Sequence, residues 1–128
     1  MPRFSTKSLD RLAECELPLQ ILMSKAINKI DFSILCGYRG KAEQDIAFKK
    51  GTSKVKFPNS KHNKNPSHAV DIAPYPLDWK DIKSFVSLSV IIKETWDELT
   101  EQEKAGWKLE WGGDWPSFKD YPHYQITK

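Results

Sequence analysis

Cysteine is scarce in this chain: Cys15 and Cys36 are the only two among 128 residues, and they form no CxxC pair. A thiolate-based zinc site or a disulfide framework therefore has too little material, and both residues, each in an apolar stretch, read as buried free thiols. Long apolar runs are also missing. Nothing approaches the ~18 residues a membrane-spanning helix requires, and no apolar segment follows Met1. The chain is expected to start as a soluble cytosolic product without a signal peptide and without stable membrane insertion. Dense Lys/Arg runs are lacking too. The 20 basic and 17 acidic residues are scattered, giving a net charge of +3, which argues against nucleic acid as a partner. Histidine is limited to His62, His68 and His123, so any histidine-based chemistry must draw on these three.

What is present fits one globular domain over residues 1–128, with 39% hydrophobic and 29% charged residues and a length sufficient for one core. Leu9, Leu12, Leu17, Leu19, Leu22, Met23, Ala26, Ile27 and Ile30 recur mostly at spacings of three and four and predict helix from Ser5 to Ile30, started by Ser5 or Ser8 and split in two by Pro18. Residues 31–37 (DFSILCG) predict a short strand with Arg39 just beyond it, and 41–50 a helix. The polar stretch 51–66, rich in Lys, Asn, Ser and Pro, predicts a loop, and one of this length in a compact domain points to function. Residues 68–73 (HAVDIA) predict a strand. A helix follows from Asp78 or Asp81 to about Leu99, and the aromatic tail 107–126 reads as strand, loop, strand. The mixture is α+β, with helices packed on a short, mainly antiparallel sheet.

Two histidines and one carboxylate suffice for a catalytic zinc, which keeps its fourth position for water. Asp71 lies inside the buried-strand pattern AVDIA, where a charge requires a partner: a metal, an arginine or backbone N–H groups. Side chains alternate across a strand, so His68, three residues away, points opposite to Asp71. His62, on the preceding loop, is free to reach it and is the favoured ligand, with His68 as a surface residue and the fallback. In the segment DYPHY, Asp120 precedes His123 by three and Pro122 stiffens the link; a carboxylate so placed can serve as general base and then general acid. The same residues also suit an ordinary loop near a chain end. Tyr75, Trp111, Trp115 and Tyr121 fit either a cleft wall or the core, and Asp114 fits a turn cap.

The segment SKHNKNPSHAVDIAPYP (60–76) resembles the metal-binding signature of phage L-alanyl-D-glutamate peptidases, relatives of the D-alanyl-D-alanine carboxypeptidases and dipeptidases. The likeness continues through GYRG (37–40) with Gln44 following, WGGDW (111–115) and DYPH (120–123), four blocks in order over most of the chain. His62 and Asp71 are nine residues apart, two more than in the commoner form of the pattern, and the extra residues fall in the loop. The resemblance implies a small fold like the D-Ala-D-Ala-peptidase and hedgehog domains, and Zn2+ held by His62, Asp71 and His123. It implies Asp120 as acid/base and Arg39 as the group that steadies the substrate carbonyl or oxyanion. Ser60 and Gln44, with Tyr75 and Trp115 as aromatic walls, are the expected substrate contacts. The implied function is that of a monomeric phage endolysin, waiting in host cytoplasm until released to cut L-alanyl-D-glutamate bonds of peptidoglycan. A D-alanyl-D-alanine carboxypeptidase and a catalytically inactive peptidoglycan-binding relative are the alternatives.

Overall fold

The computed structural model describes residues 2–128. Ser5 caps the first helix, α1 (Thr6–Leu12), its hydroxyl accepting from Ser8 N–H at 3.1 Å. Ser8 is buried instead and ties the helix to the sheet by accepting from Ile34 N–H at 3.0 Å. The helical stretch breaks earlier than its proline suggests. Residues 13–16 leave the helix because Glu16 N–H donates to Ser67 O at 2.9 Å and Ser67 N–H to Glu14 O at 2.8 Å, pinning the turn to the later loop. Pro18 falls in the first turn of α2 (Leu17–Ala26), where no N–H is needed. Of the apolar residues in the helical pattern, Leu9 and Leu17 are 53% and 62% exposed. Leu12, Leu19, Leu22 and Met23 are buried.

The remaining elements are β1 (Phe32–Cys36), α3 (Lys41–Lys50), β2 (Ala69–Pro74), α4 (Ile82–Glu98), a short α5 (Glu101–Lys104) that the sequence reading missed, β3 (Lys108–Trp111) and β4 (His123–Thr127). Asp81, the second of the two expected starts, caps α4 by accepting from Ser84 N–H. The stretch 51–66 is irregular but for a single 3-10 turn over Lys61–Asn63. Five helices thus pack on a four-stranded antiparallel sheet of order β1-β2-β4-β3, an α+β fold. No helix among the described residues is long and apolar enough to cross a membrane.

Strand alternation divides the sheet into two chemistries. Ile34, Val70, Ile72, Tyr124 and Ile126 lie on one face and join Leu19, Leu22, Leu88 and Ile92 from α2 and α4 in the core. The other face carries Asp71, His123 and Gln125. Register places Asp71 opposite both Cys36 of β1 and His123 of β4, so three polar side chains form one row across three strands. An irregularity between Ile34 and Cys36 brings the cysteine into that row, the way a bulge re-aims a side chain.

Candidate metal centre and cleft

Each member of the polar cluster is held by a separate local device. Asp71 and His123 meet because they are register partners on adjacent strands, where facing side chains are close. His62 arrives from the loop. Ser60 caps the 3-10 turn by accepting from His62 N–H at 3.2 Å, and Asn63 Oδ1 accepts from Ser60 N–H at 3.0 Å. Behind the turn, Arg39 N–H donates to His62 O at 2.8 Å. The result is a triangle of ligand-type atoms. His62 Nε2, His123 Nδ1 and Asp71 Oδ1 lie 3.2 Å from one another on all three sides.

Hydrogen bonds on the far side of each ring fix what the rings present. His62 Nδ1 is 2.8 Å from Gly37 O; a carbonyl only accepts, so Nδ1 carries the hydrogen and Nε2 turns its lone pair inward. His123 Nε2 is 2.8 Å from Gln125 Oε1. The Gln125 amide nitrogen donates to Glu110 Oε2 at 3.0 Å, which orients its oxygen toward His123, so Nε2 carries that hydrogen and Nδ1 faces inward. With the rings so oriented, two lone pairs and a carboxylate oxygen converge on a pocket that attracts one positive charge. Tetrahedral donors each about 2 Å from a zinc ion are about 3.3 Å apart, so the triangle fits a metal. Electrostatics agrees. Burial opposes charge on His62, but the Asp71 carboxylate outweighs it and pushes the imidazole up to about 10, so without a metal a proton occupies the place of the cation. Burial likewise opposes ionisation of Asp71, yet the facing imidazoles of His62 and His123 hold its carboxyl far below the usual range whenever a proton sits between them.

Cys36, His62 and Asp71 also offer ligand atoms within 4.8 Å of one another. The thiol, however, lies 3.9 Å from Nδ1 of His62, on the side of the ring already engaged by Gly37. It backs the cluster, whereas His123 completes it. Parity within β4 was the available signal for Gln125, whereas Cys36 reaches the row only through the irregularity in β1. Cys36 stands across from Asp71, and Gln125 follows His123 by two.

The cluster forms the floor of a cleft of about 640 Å³ whose walls include Arg39, Ser60, Trp79, Trp115, Phe118 and Asp120. Arg39 Nη2 leans on Asp71 Oδ2 at 3.5 Å while Nη1 donates to Gln44 Oε1 at 3.0 Å. Burial first, and then the nearby Asp71 charge, raise the Asp120 carboxyl above its ordinary value; His123, His62 and Arg39 pull the other way. Asp120 is set by its backbone, its N–H donating to Gly112 O at 3.0 Å while its own carbonyl accepts from His123 N–H at 3.2 Å. A side chain on Gly112 would collide with the Asp120 carbonyl, so the first glycine of WGGDW permits the approach. Trp115 lines the cleft, its ring 5.3 Å from that of His123 and its N–H donating to Glu110 at 2.9 Å.

Two expected substrate contacts lie elsewhere. Gln44 is fully buried outside the cleft lining, and all four of its hydrogen-bonding positions are used: it accepts from Arg39 and Asn63 and donates to Ser53 and Val55. Its work is to position the arginine and the loop. Tyr75 is 66% exposed and does not line the cleft. His68 sits apart from the cluster, its ring 4.9 Å from that of Trp107 and 4.0 Å from Glu16.

If Gln125 fixes the tautomer of His123, replacing it weakens the metal centre without touching a ligand. Gln125→Leu is expected to lower metal affinity by about 10–100-fold, read by competition against a chromophoric chelator; unchanged affinity would remove Gln125 from the site.

A convergent His–Asp–His set beside an arginine and a second, half-buried carboxylate, on the polar face of an α+β sheet, is the equipment of a hydrolytic enzyme. The chain belongs to the phage L-alanyl-D-glutamate peptidase family, whose model matches residues 1–127. It is 35% identical over 114 residues to the peptidoglycan L-alanyl-D-glutamate endopeptidase CwlK of Bacillus subtilis (strain 168), a match that covers 82% of this chain and 66% of that protein. Its fold is similar to that of the L-Ala D-Glu endopeptidase ChiX of Serratia marcescens, with a TM-score of 0.75 at 24% identity over 98% of this chain and 91% of that one.

Proposed function

We propose that this chain is a zinc endopeptidase that hydrolyses the bond between L-alanine and D-glutamate in the stem peptide of peptidoglycan and acts on the cell wall as a phage endolysin. The observation that carries the reading is the equilateral set of His62 Nε2, His123 Nδ1 and Asp71 Oδ1, 3.2 Å apart in a cleft. Family membership and the activity named for both relatives favour this bond over the terminal D-Ala–D-Ala bond.

His62, Asp71 and His123 would hold a zinc ion, which supplies Lewis acidity to acidify water and polarise a carbonyl. Asp120 takes the proton of the attacking water at its carboxylate. Once protonated, it returns that proton to the departing amine of D-glutamate. Arg39, held from behind by Gln44, offers its guanidinium to the negative charge that develops on the carbonyl oxygen. Ser60 shapes the loop through its cap on His62 and lines the cleft beside it, and Trp115 walls the cleft against His123.

Purified, zinc-loaded protein incubated with peptidoglycan is expected to release fragments with new N-terminal D-glutamate, identified by mass spectrometry, and a chelator is expected to stop their appearance. Release of terminal D-alanine alone would move the chain to the carboxypeptidase branch. Absence of any cleavage by protein shown to hold one zinc would identify a binding relative.

A further inference from the structure

The substrate of the proposed reaction has a feature the catalytic cluster does not address. The acyl side of the scissile bond is L-alanine, and the amino group of that alanine carries the lactyl ether of muramic acid. Only one amino acid separates the bond from a sugar ring. A cleft that seats the bond must therefore continue, on its acyl side, into space for a pyranose.

The aromatic side chains of the cleft differ in how much face they leave free. Trp115 is tilted against His123 and tethered to Glu110. Phe118 carries the Lys54 ammonium 4.9 Å from its ring centre. Trp79 is different. It is 57% exposed and lines the cleft. One face of its indole is stacked on Phe85, with ring centres 5.6 Å apart and planes 17° from parallel. Phe85 is 2% exposed and anchored in α4, so the covered face is fixed and the opposite face is left open. The loop that carries the indole is braced as well. Asp78 accepts from Lys80 N–H and Asp81 N–H, each at 3.0 Å, and Asp81 caps α4. Ile82, next along the same wall, is 47% exposed and extends the apolar surface.

A large, rigidly backed indole with one open face costs stability by exposing apolar area to water, and among the described residues it has no side-chain hydrogen bond to account for it. A pyranose supplies the matching surface. Its axial C–H bonds form an apolar, slightly positive patch that sits on the negative face of an aromatic ring. We propose that Trp79 is the platform for the muramic acid ring attached to the L-alanine of the substrate. This rests on the endopeptidase reading and extends it: the enzyme reads the sugar as well as the peptide, which distinguishes wall-attached stem peptide from free peptide.

The test compares two substrates that share the scissile bond, N-acetylmuramoyl stem peptide and the same peptide with an acetyl group in place of the muramoyl group. The zinc-loaded enzyme is expected to prefer the muramoyl substrate by about tenfold in kcat/KM, the size of one aromatic stacking contact. Trp79→Ala is expected to bring that ratio close to one, mainly by raising KM for the muramoyl substrate, and Trp79→Phe to retain part of the preference. No preference in the unaltered enzyme, or a preference that survives in Trp79→Ala, would overturn the platform. Hydrolysis of neither substrate would instead overturn the endopeptidase reading. The platform is then read by itself from the binding of N-acetylmuramoyl-L-alanine, which shifts the Trp79 indole N–H signal in NMR if the platform exists and leaves it in place if it does not.

Discussion

Asp120→Asn is expected to remove nearly all hydrolysis while leaving the fold and the bound metal in place. The loss should be about 10²–10⁴-fold in kcat, the range for a positioned general base, because the amide can neither take the proton of the attacking water nor return it to the leaving amine. Stability should move the other way. In the metal-free protein, burial and the Asp71 charge raise the Asp120 carboxyl above its value in the unfolded chain. A group raised on folding contributes stability that is complete below its unfolded pKa and is lost as pH rises through its folded pKa. Activity gains over the same window, since a base must be ionised. The two effects of one titration are therefore opposed: the ionised form a general base requires is the form that burial disfavours. Thermal melts in chelator at pH 4 and pH 7 should show a larger loss on raising pH for the unaltered chain than for Asp120→Asn. Full activity in the variant would reassign the base.

The parts of this site that were legible in the sequence are those fixed by local pattern. Asp71 stood out because a charge inside AVDIA contradicts the burial its neighbours demand, and the structure sets that carboxylate against two imidazoles. Strand parity sent His68 away from Asp71, and its ring rests on Trp107. The α+β class followed from helical spacing early and short apolar runs late. What stayed hidden depended on pairing between distant strands. Nothing near Cys36 announces that an irregularity in β1 carries it opposite Asp71. Gln125 was accessible to parity, but its use as the orienting partner of His123 depends on Glu110, which faces it from β3. Gln44 illustrates the opposite error. A polar residue inside a recognisable motif reads as a substrate contact, yet its burial and its four internal hydrogen bonds make it a brace for Arg39. The helix break at residues 13–16 was missed because its cause lies in the backbone of Ser67, far along the chain.

The ligand assignment makes the second large prediction. His62 and His68 are six residues apart, and the two occupy unlike environments: His62 is buried in the cluster, with its Nε2 3.2 Å from both Asp71 and His123, whereas His68 faces Glu16 and Trp107. A metal that binds only the folded state stabilises it by mass action, by about 2.7 kcal/mol when present at a hundred times its dissociation constant. For a domain of this size that raises the melting temperature by on the order of 10 °C. The unaltered chain and His68→Ala should both show this zinc-dependent rise and hold one zinc after gel filtration. His62→Ala should show neither, since two donors remain where three are needed. Its melting temperature in chelator will also fall, because the hydrogen bond from Nδ1 to Gly37 is lost and a buried cavity is left. The zinc-dependent shift separates the two effects: a structural role for His62 alone lowers the baseline and preserves the shift, whereas a ligand role abolishes the shift. Retention of the shift in His62→Ala, with its loss in His68→Ala, would exchange the two residues and require the loop over 60–68 to turn its other side to the cleft.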